Sequence, residues 1–270
     1  MFYGAKNGAL RLSNADMHYA SFGSGPETLV MIPGVGDGLK TVKGLAVPMA
    51  MLYRQFAQHY KVYVFSRKSP LNEGTTTRDM AKDLYDAMAA LEIPRAHVVG
   101  ISQGGMIAQH LAIDYPAVVK KLVLAVTLSR QNDVLQTVLH DWMEMANAGD
   151  YKRLFIDTTE KAYTEQTLKK YRPFYPVLSR ASKPKDFGRF LIQAQSCLTH
   201  DTYDALNKIT CPTLIIGAGC DQVVGKDAAE EMAERIRGSK RIVYEELGHG
   251  AYTEAKDFNT QILNFLRAGA

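Results

Sequence analysis

"VVGISQGGMIAQHLAIDYP" (residues 98–116) sets one serine among glycines, after a β-branched run and before an amphipathic stretch closed by Pro116. A short apolar run, a glycine-bounded turn and a helical period in direct succession describe a strand that feeds straight into a helix. Gly100-Ile101-Ser102-Gln103-Gly104 matches the pattern G-x-S-x-G. Five residues match such a pattern by chance, but here the strand-before, helix-after context that it requires is present. The glycines have a steric reason. A strand that turns abruptly into a helix forces the apex residue into a strained backbone, and its neighbours two before and two after must clear it. The helix behind offers unpaired N–H groups and a partial positive end beside Ser102. The plain alternative is a passive serine in a tight turn. A nucleophilic serine needs a base, a group that orients the base, and donors for an oxyanion, so the rest of the chain must decide.

Outward from this stretch, short apolar runs alternate with helical segments, the pattern of an α/β layer fold. "MHYASFG" alternates as an early, antiparallel strand, and "TLVMI" (28–32) is near-continuously apolar, as a strand buried on both faces should be. "AMLYRQFAQHY" (50–60) reads as a helix and "KVYVFS" (61–66) as the next strand. Residues 77–91 place Met80, Leu84, Ala87 and Leu91 on one helical face, "HVV" (97–99) leads into the serine turn, and "KKLVLAV" follows its helix. From about Leu128 the rhythm changes. Residues 130–207 are helical or irregular, and alternation resumes with "PTLIIGAG" (212–219), a helix from Lys226 to about Arg237, "RIVYEE" (241–246) and a last helix around Asp257 to Arg267. We therefore expect a mostly parallel, doubly wound α/β sheet built from residues 1–129 and 208–270. Residues 130–207 form a helical cap inserted between two of its strands, over the carboxyl edge where such sheets bind ligands.

The bulk properties narrow the function classes. The chain of 270 residues has a hydrophobic fraction of 46%, a charged fraction of 22% and a formal net charge of +4, an ordinary globular composition. That charge is too mild to argue for nucleic acid, and runs such as "KKLVLAVTL" are too short to span a bilayer. "MFYGAKNGALRLS" has neither a basic leader nor an apolar segment of the signal-peptide kind. Cys197, Cys211 and Cys220 have no zinc-type spacing and read as reduced thiols. The expectation is a cytoplasmic protein with a small-molecule substrate, no cofactor, no metal, and no nucleic-acid or membrane partner, as a monomer or homodimer.

The missing partners of Ser102 are found at later strand ends. "LGHGAYTE" supplies His249 between two glycines, after "RIVYEE" and before the final helix. The other histidines fall in strand patterns (His18, His97), in helices of the main body (His59, His110) or in the inserted segment (His140, His200). "IIGAGCDQVV" supplies Asp221 just past an apolar strand, and Asp133, after "KKLVLAV", is the rival acid. The order Ser102, Asp221, His249 is that of one of the three known serine-triad lineages. "MIPGVGDG" (31–38) follows the strand "TLVMI" and has three glycines that let its backbone approach a ligand. The oxyanion donors expected there are the main-chain N–H groups of Val35 and of Gln103.

These pieces together, "IPGVG", "VVGISQGG", "YPAVVKKLVL", "ITCPTLIIGAGCD" and "GHGAYTE", resemble the α/β-hydrolase fold superfamily over about Met17 to Leu266. Within it they are similar to the small esterase, haloperoxidase-like and C–C-bond hydrolase branch with a helical cap. The resemblance implies Ser102 as nucleophile, His249 as base, Asp221 as acid, and Val35 and Gln103 as backbone donors. Two departures stand out. The branch usually has a histidine before the first oxyanion glycine, where this chain has Pro33. It also commonly carries an Asp-x-x-Gly-x-Gly-x-Ser-like segment after the next strand, where this chain reads "SRKSPLNEG" (66–74) and retains only Arg67.

The expected function is that of a serine hydrolase cleaving a small, apolar ester or related acyl substrate through a covalent acyl-enzyme. The alternatives are a C–C-bond hydrolase or lyase of a small metabolite, an acyltransferase or perhydrolase on the same residues, and a non-catalytic ligand receptor. Trp142, Met143, Phe155 and Phe174 are candidates to line the substrate pocket, although helical aromatics more often form core. Residues 150–190 carry ten Lys or Arg against five Asp or Glu, either a basic rim or solvated helix faces. Residues 37–51 are a candidate second wall of the pocket.

Overall fold

Among the described residues eight strands make one sheet: β1 (Lys6–Leu12), β2 (Ala15–Phe22), β3 (Glu27–Ile32), β4 (Tyr60–Phe65), β5 (Ala96–Ile101), β6 (Val119–Ala125), β7 (Thr213–Ala218) and β8 (Lys240–Tyr244). The computed structural model describes residues 2–12 and 14–268. The strand order is β1-β2-β4-β3-β5-β6-β7-β8. β1 and β2 pair antiparallel, as do β2 and β4, and every pair from β4 to β8 is parallel. Twelve helices accompany the described strands: α1 (Ala46–Leu52), α2 (Arg54–Ala57), α3 (Thr77–Ala90), α4 (Gln103–Asp114), α5 (Asp133–Asn147), α6 (Tyr151–Ala162), α7 (Glu165–Tyr171), α8 (Tyr175–Ala181), α9 (Gly188–Leu198), α10 (Ala228–Arg235), α11 (Ala251–Glu254) and α12 (Phe258–Arg267).

The period-2 alternation of the central strands feeds two cores. Val30, Ile32, Val98, Leu122, Leu124 and Ile215 face α3, α4 and α10, which contribute Met80, Leu84, Ile107, Leu111 and Met232. Leu29, Met31, Val99, Val123, Leu214 and Ile216 face the other way, onto Ala46, Ala50 and Phe56 of α1 and α2 and Ile262 and Leu266 of α12. Both faces are thus covered, which is why β5 and β7 are buried along their whole length and read as unbroken apolar runs.

β3 lies between β4 and β5, so the chain leaves β3 toward one edge of the sheet and returns on its other side. That reversal opens a crevice at the carboxyl ends of β3 and β5, where doubly wound sheets hold their ligands. Ser102 directly follows β5, and the turn Gly34–Gly38 follows β3. Between β6 and β7 the described chain forms α5 to α9, and a lone bridge between Arg130 and Asp201 ties the two ends of this segment together. Leu135, Leu139, Trp142, Leu154, Phe190 and Ala194 give it a core of its own, shared with Met106, Leu128, Val223 and Val224 of the sheet body. No helix among the described residues is long and apolar enough to cross a membrane.

Candidate active site

Ser102 is the residue on which β5 turns into α4, with φ 54° and ψ −123°. Its backbone is held at both ends: its N–H donates to Ala125 O at 2.9 Å, and its carbonyl accepts from Gly105 N at 2.8 Å. Close approach dictates the flanking glycines. A Cβ on Gly100 would lie 2.4 Å from Gly104 O, and one on Gly104 would lie 2.0 Å from Ile32 O. No side chain fits at either position.

His249 follows β8 and precedes α11, in a loop pinned from above by the inserted helices. Gly250 N donates to Ala162 O, the last residue of α6, at 2.7 Å. His249 Nε2 is 3.0 Å from Ser102 Oγ, and its Nδ1 is 2.9 Å from Asp221 Oδ2. With the imidazole proton on Nδ1, His249 donates to Asp221 and accepts from the Ser102 hydroxyl. Asp221 comes from the turn after β7, and its second oxygen, Oδ1, accepts from Val223 N at 2.8 Å and Val224 N at 2.9 Å. Its carboxylate is therefore buried but fully engaged, which fixes the ring orientation it sets. Asp133, the rival acid, is instead an exposed first-turn residue of α5 and does not approach His249.

Val35 opens the short 3-10 turn Val35–Gly38 after β3, and Gln103 is the first residue of α4. First-turn N–H groups have no partner within their own helix, so both are available to a ligand. A Cβ built on Gly34 would lie 3.2 Å from Ser102 Cβ, which puts the turn directly against the serine. The structure thus brings Ser102, His249, Asp221 and the two candidate donor segments to one crevice.

A family model described as the alpha/beta hydrolase fold matches residues 27–256. The chain belongs to the α/β hydrolase family. Among curated relatives of this α/β hydrolase, a protein of Variovorax paradoxus named as a carbamate hydrolase (RutD) is 29% identical, over 73% of this chain and 75% of its own. A 2-hydroxy-6-oxononadienedioate/2-hydroxy-6-oxononatrienedioate hydrolase of Paraburkholderia xenovorans is 26% identical, over 93% of this chain and 90% of its own. In fold, the α/β hydrolase is similar to a solved alpha/beta hydrolase enzyme from a Medee basin deep-sea metagenome library. The TM-score is 0.86 at 21% identity, and the match covers 96% of this chain and 97% of that one.

A cavity of about 270 Å³ lies beside Gly34 and Ile101, walled by Met31, Val42, Leu45, Met49, Tyr53 and Tyr252. Residues 37–51 do contribute to this wall, but Trp142, Met143, Phe155 and Phe174 do not. Trp142 is buried in the core of the inserted segment, and its Nε1 donates to Asp157 Oδ2 at 2.7 Å. Met143 and Phe155 pack on the same core, and Phe155 meets Tyr175 edge-on at 5.9 Å. Phe174 is 58% exposed. Tyr53 lines this cavity, and burial pushes its hydroxyl up to about 12.

Sequence reasoning missed the charged cluster beneath the turn. Asp37 and Arg67 are buried, and Arg189 of α9 reaches them with a 2.9 Å ion pair to Asp37. Of the cations counted as a rim, Arg189 is thus internal, Arg172 pairs with Glu160 and Glu165, and Lys161 pairs with Asp157. The one sequence signal for the cluster was Arg67, retained in a segment that otherwise departs from the family pattern.

Proposed function

We propose that this α/β hydrolase is a serine hydrolase acting on a small, apolar ester or related acyl substrate. The observation that supports the reading best is the unbroken hydrogen-bond chain from Ser102 Oγ through His249 to Asp221, with distances of 3.0 and 2.9 Å. In this mechanism His249 takes the Ser102 proton as Oγ attacks the carbonyl carbon, and Val35 and Gln103 N–H groups receive the oxyanion. Collapse expels the leaving group, which takes the proton from His249, and leaves an acyl ester on Ser102. Water, deprotonated by His249, then attacks that ester and regenerates the serine. Asp221 holds the tautomer throughout and stabilises the imidazolium. Each oxyanion donor is worth about 3–4 kcal/mol of barrier.

A second reading, cleavage of a C–C bond, is favoured by the relatives named as 2-hydroxy-6-oxononadienedioate/2-hydroxy-6-oxononatrienedioate hydrolases, which match this chain over nearly its whole length. The same residues would then serve cleavage of a vinylogous diketone, and the carbamate hydrolase relative extends the range to a carbamate. A panel of activated esters, carbamates and diketones separates the three by relative kcat/KM. Under the serine reading, Ser102→Ala abolishes ester turnover and labelling by a fluorophosphonate while the thermal unfolding curve stays that of a folded protein. Unchanged labelling of that variant removes Ser102 from the mechanism.

A further inference from the structure

The two backbone donors come from different elements, and their common aim depends on how the turn after β3 is held against the start of α4. The turn is poorly suited to hold itself. It is a short 3-10 segment with glycine at 34, 36 and 38 and no side-chain cap. Its brace comes from Arg67, in the loop after β4. One guanidinium nitrogen, Nη2, donates both to Pro33 O, two residues before Val35, and to the Gln103 side chain, whose Oε1 is 2.8 Å away. The Arg67 backbone N–H donates to Asp37 Oδ2 at 3.0 Å, inside the turn itself.

Helix α9 closes the ring. Arg189 donates to Asp37 O at 2.6 Å, to Asp37 Oδ2 at 2.9 Å and to Arg67 O at 3.0 Å. Gln103 Nε2 donates back to α9, to Gln193 O at 2.8 Å and Ser196 Oγ at 3.1 Å. Asp37, Arg67, Gln103 and Gln193 are all buried. Desolvation works against the Arg67 charge and the Asp37 carboxylate supports it, yet a guanidinium keeps its proton in any case. Buried ion clusters contribute little net stability compared with apolar packing, so stability alone does not explain this one. Its geometric product is a fixed distance between Val35 and Gln103.

We propose that Arg67 is the positioning residue for both oxyanion donors and that α9 carries the brace; this rests on the serine hydrolase reading above. Reach is essential to the role: both side-chain hydrogen bonds come from Nη2 at the far end of the guanidinium, and a lysine keeps the charge but its side chain ends one atom short of that position. The test is steady-state kinetics on an activated ester with Arg67→Met, Arg67→Lys, Gln103→Met and the Arg67→Met/Gln103→Met double variant. A misaimed donor acts only on the transition state, so kcat falls by about 100-fold in Arg67→Met while KM stays within about twofold. Affinity for a trifluoromethyl ketone, which forms the tetrahedral oxyanion, falls in parallel, and Arg67→Lys recovers little of either. Because both side chains belong to one brace, the double variant is no slower than the slower single.

An unchanged kcat in folded Arg67→Met, full recovery in Arg67→Lys, or additive losses in the double variant would overturn the proposal. If Arg67→Met does not fold, Gln103→Met decides: a loss of kcat at constant KM supports the brace, and an unchanged kcat rejects it. Ser102→Ala keeps the two questions apart. Activity surviving in Ser102→Ala defeats the hydrolase mechanism itself, whereas activity lost there but intact in Arg67→Met defeats only the brace.

Discussion

At Ser102 the backbone is held in a region that costs a side-chain-bearing residue about 1–3 kcal/mol, at φ 54° and ψ −123°. Glycine adopts that conformation freely, and alanine does not. Ser102→Gly is therefore expected to raise the unfolding free energy by about 1 kcal/mol, and Ser102→Ala to leave it near that of the parent. Urea titration of the two variants measures the difference, and equal stability of the two would mean that the turn carries no strain. Residues at strand ends were the legible ones: Ser102 and Asp221 each follow an apolar run, and His249 follows the strand of residues 241–246 and lies between two glycines, so their positions could be read from local pattern. The brace was not legible. Asp37 meets Arg67 across 30 residues and Arg189 across 152, and no local period records a pairing of that kind.

Among the elements, the buried ones were readable and the marginal ones were not. β1 is an edge strand paired only with β2, with a burial pattern that is exposed or half-buried throughout, so it offers no apolar stripe to read. The expected helix over 50–60 is instead α1 from Ala46, a break at Tyr53, and the single turn α2. Tyr53 leaves the helical register there (φ −102°, ψ 25°) and lines the cavity beside Gly34 and Ile101. Its apolar side chain satisfies a helical pattern whether or not the backbone continues. α3 shows the opposite case, since its start is written locally. The Thr76 hydroxyl accepts from Asp79 N, while the Asp79 carboxylate accepts from Thr76 N, a complete capping box. Thr76→Ala is expected to destabilise the protein by about 1 kcal/mol, read as a lower urea midpoint at unchanged m-value.

For the whole molecule, the joint between the inserted helices and the sheet body is the sensitive region. His200, just past α9, has its Nδ1 2.9 Å from Thr77 Oγ1 of α3 and its ring edge-on to His110 of α4 at 5.2 Å. Burial lowers His200 to about 3 and His110 to about 4, and in His110 the loss outweighs the opposing pull of Asp114. Both folded values lie below the unfolded one, so the native state binds fewer protons. Their contribution is complete above the unfolded histidine range, near 6.5, and is lost as pH falls toward the folded values. Below that range, unfolding free energy should drop by up to about 1.4 kcal/mol per pH unit for each histidine. In His110→Gln the acid limb should be shallower by up to about 1.4 kcal/mol per pH unit, and an unaltered slope would exclude His110 as a contributor.

The layer architecture, the strand-to-helix turn at Ser102 and the order Ser102, Asp221, His249 were determined by the sequence itself, because each is recorded in local period, glycine placement and chain order. The tertiary structure alone decided which acid meets His249, that Trp142, Met143 and Phe155 pack into the core of the inserted segment, and that α9 reaches into the turn after β3. Those outcomes depend on which surfaces meet when the segment between β6 and β7 folds over the sheet. That meeting is a sum of many weak, distant contacts that no stretch of the chain encodes on its own.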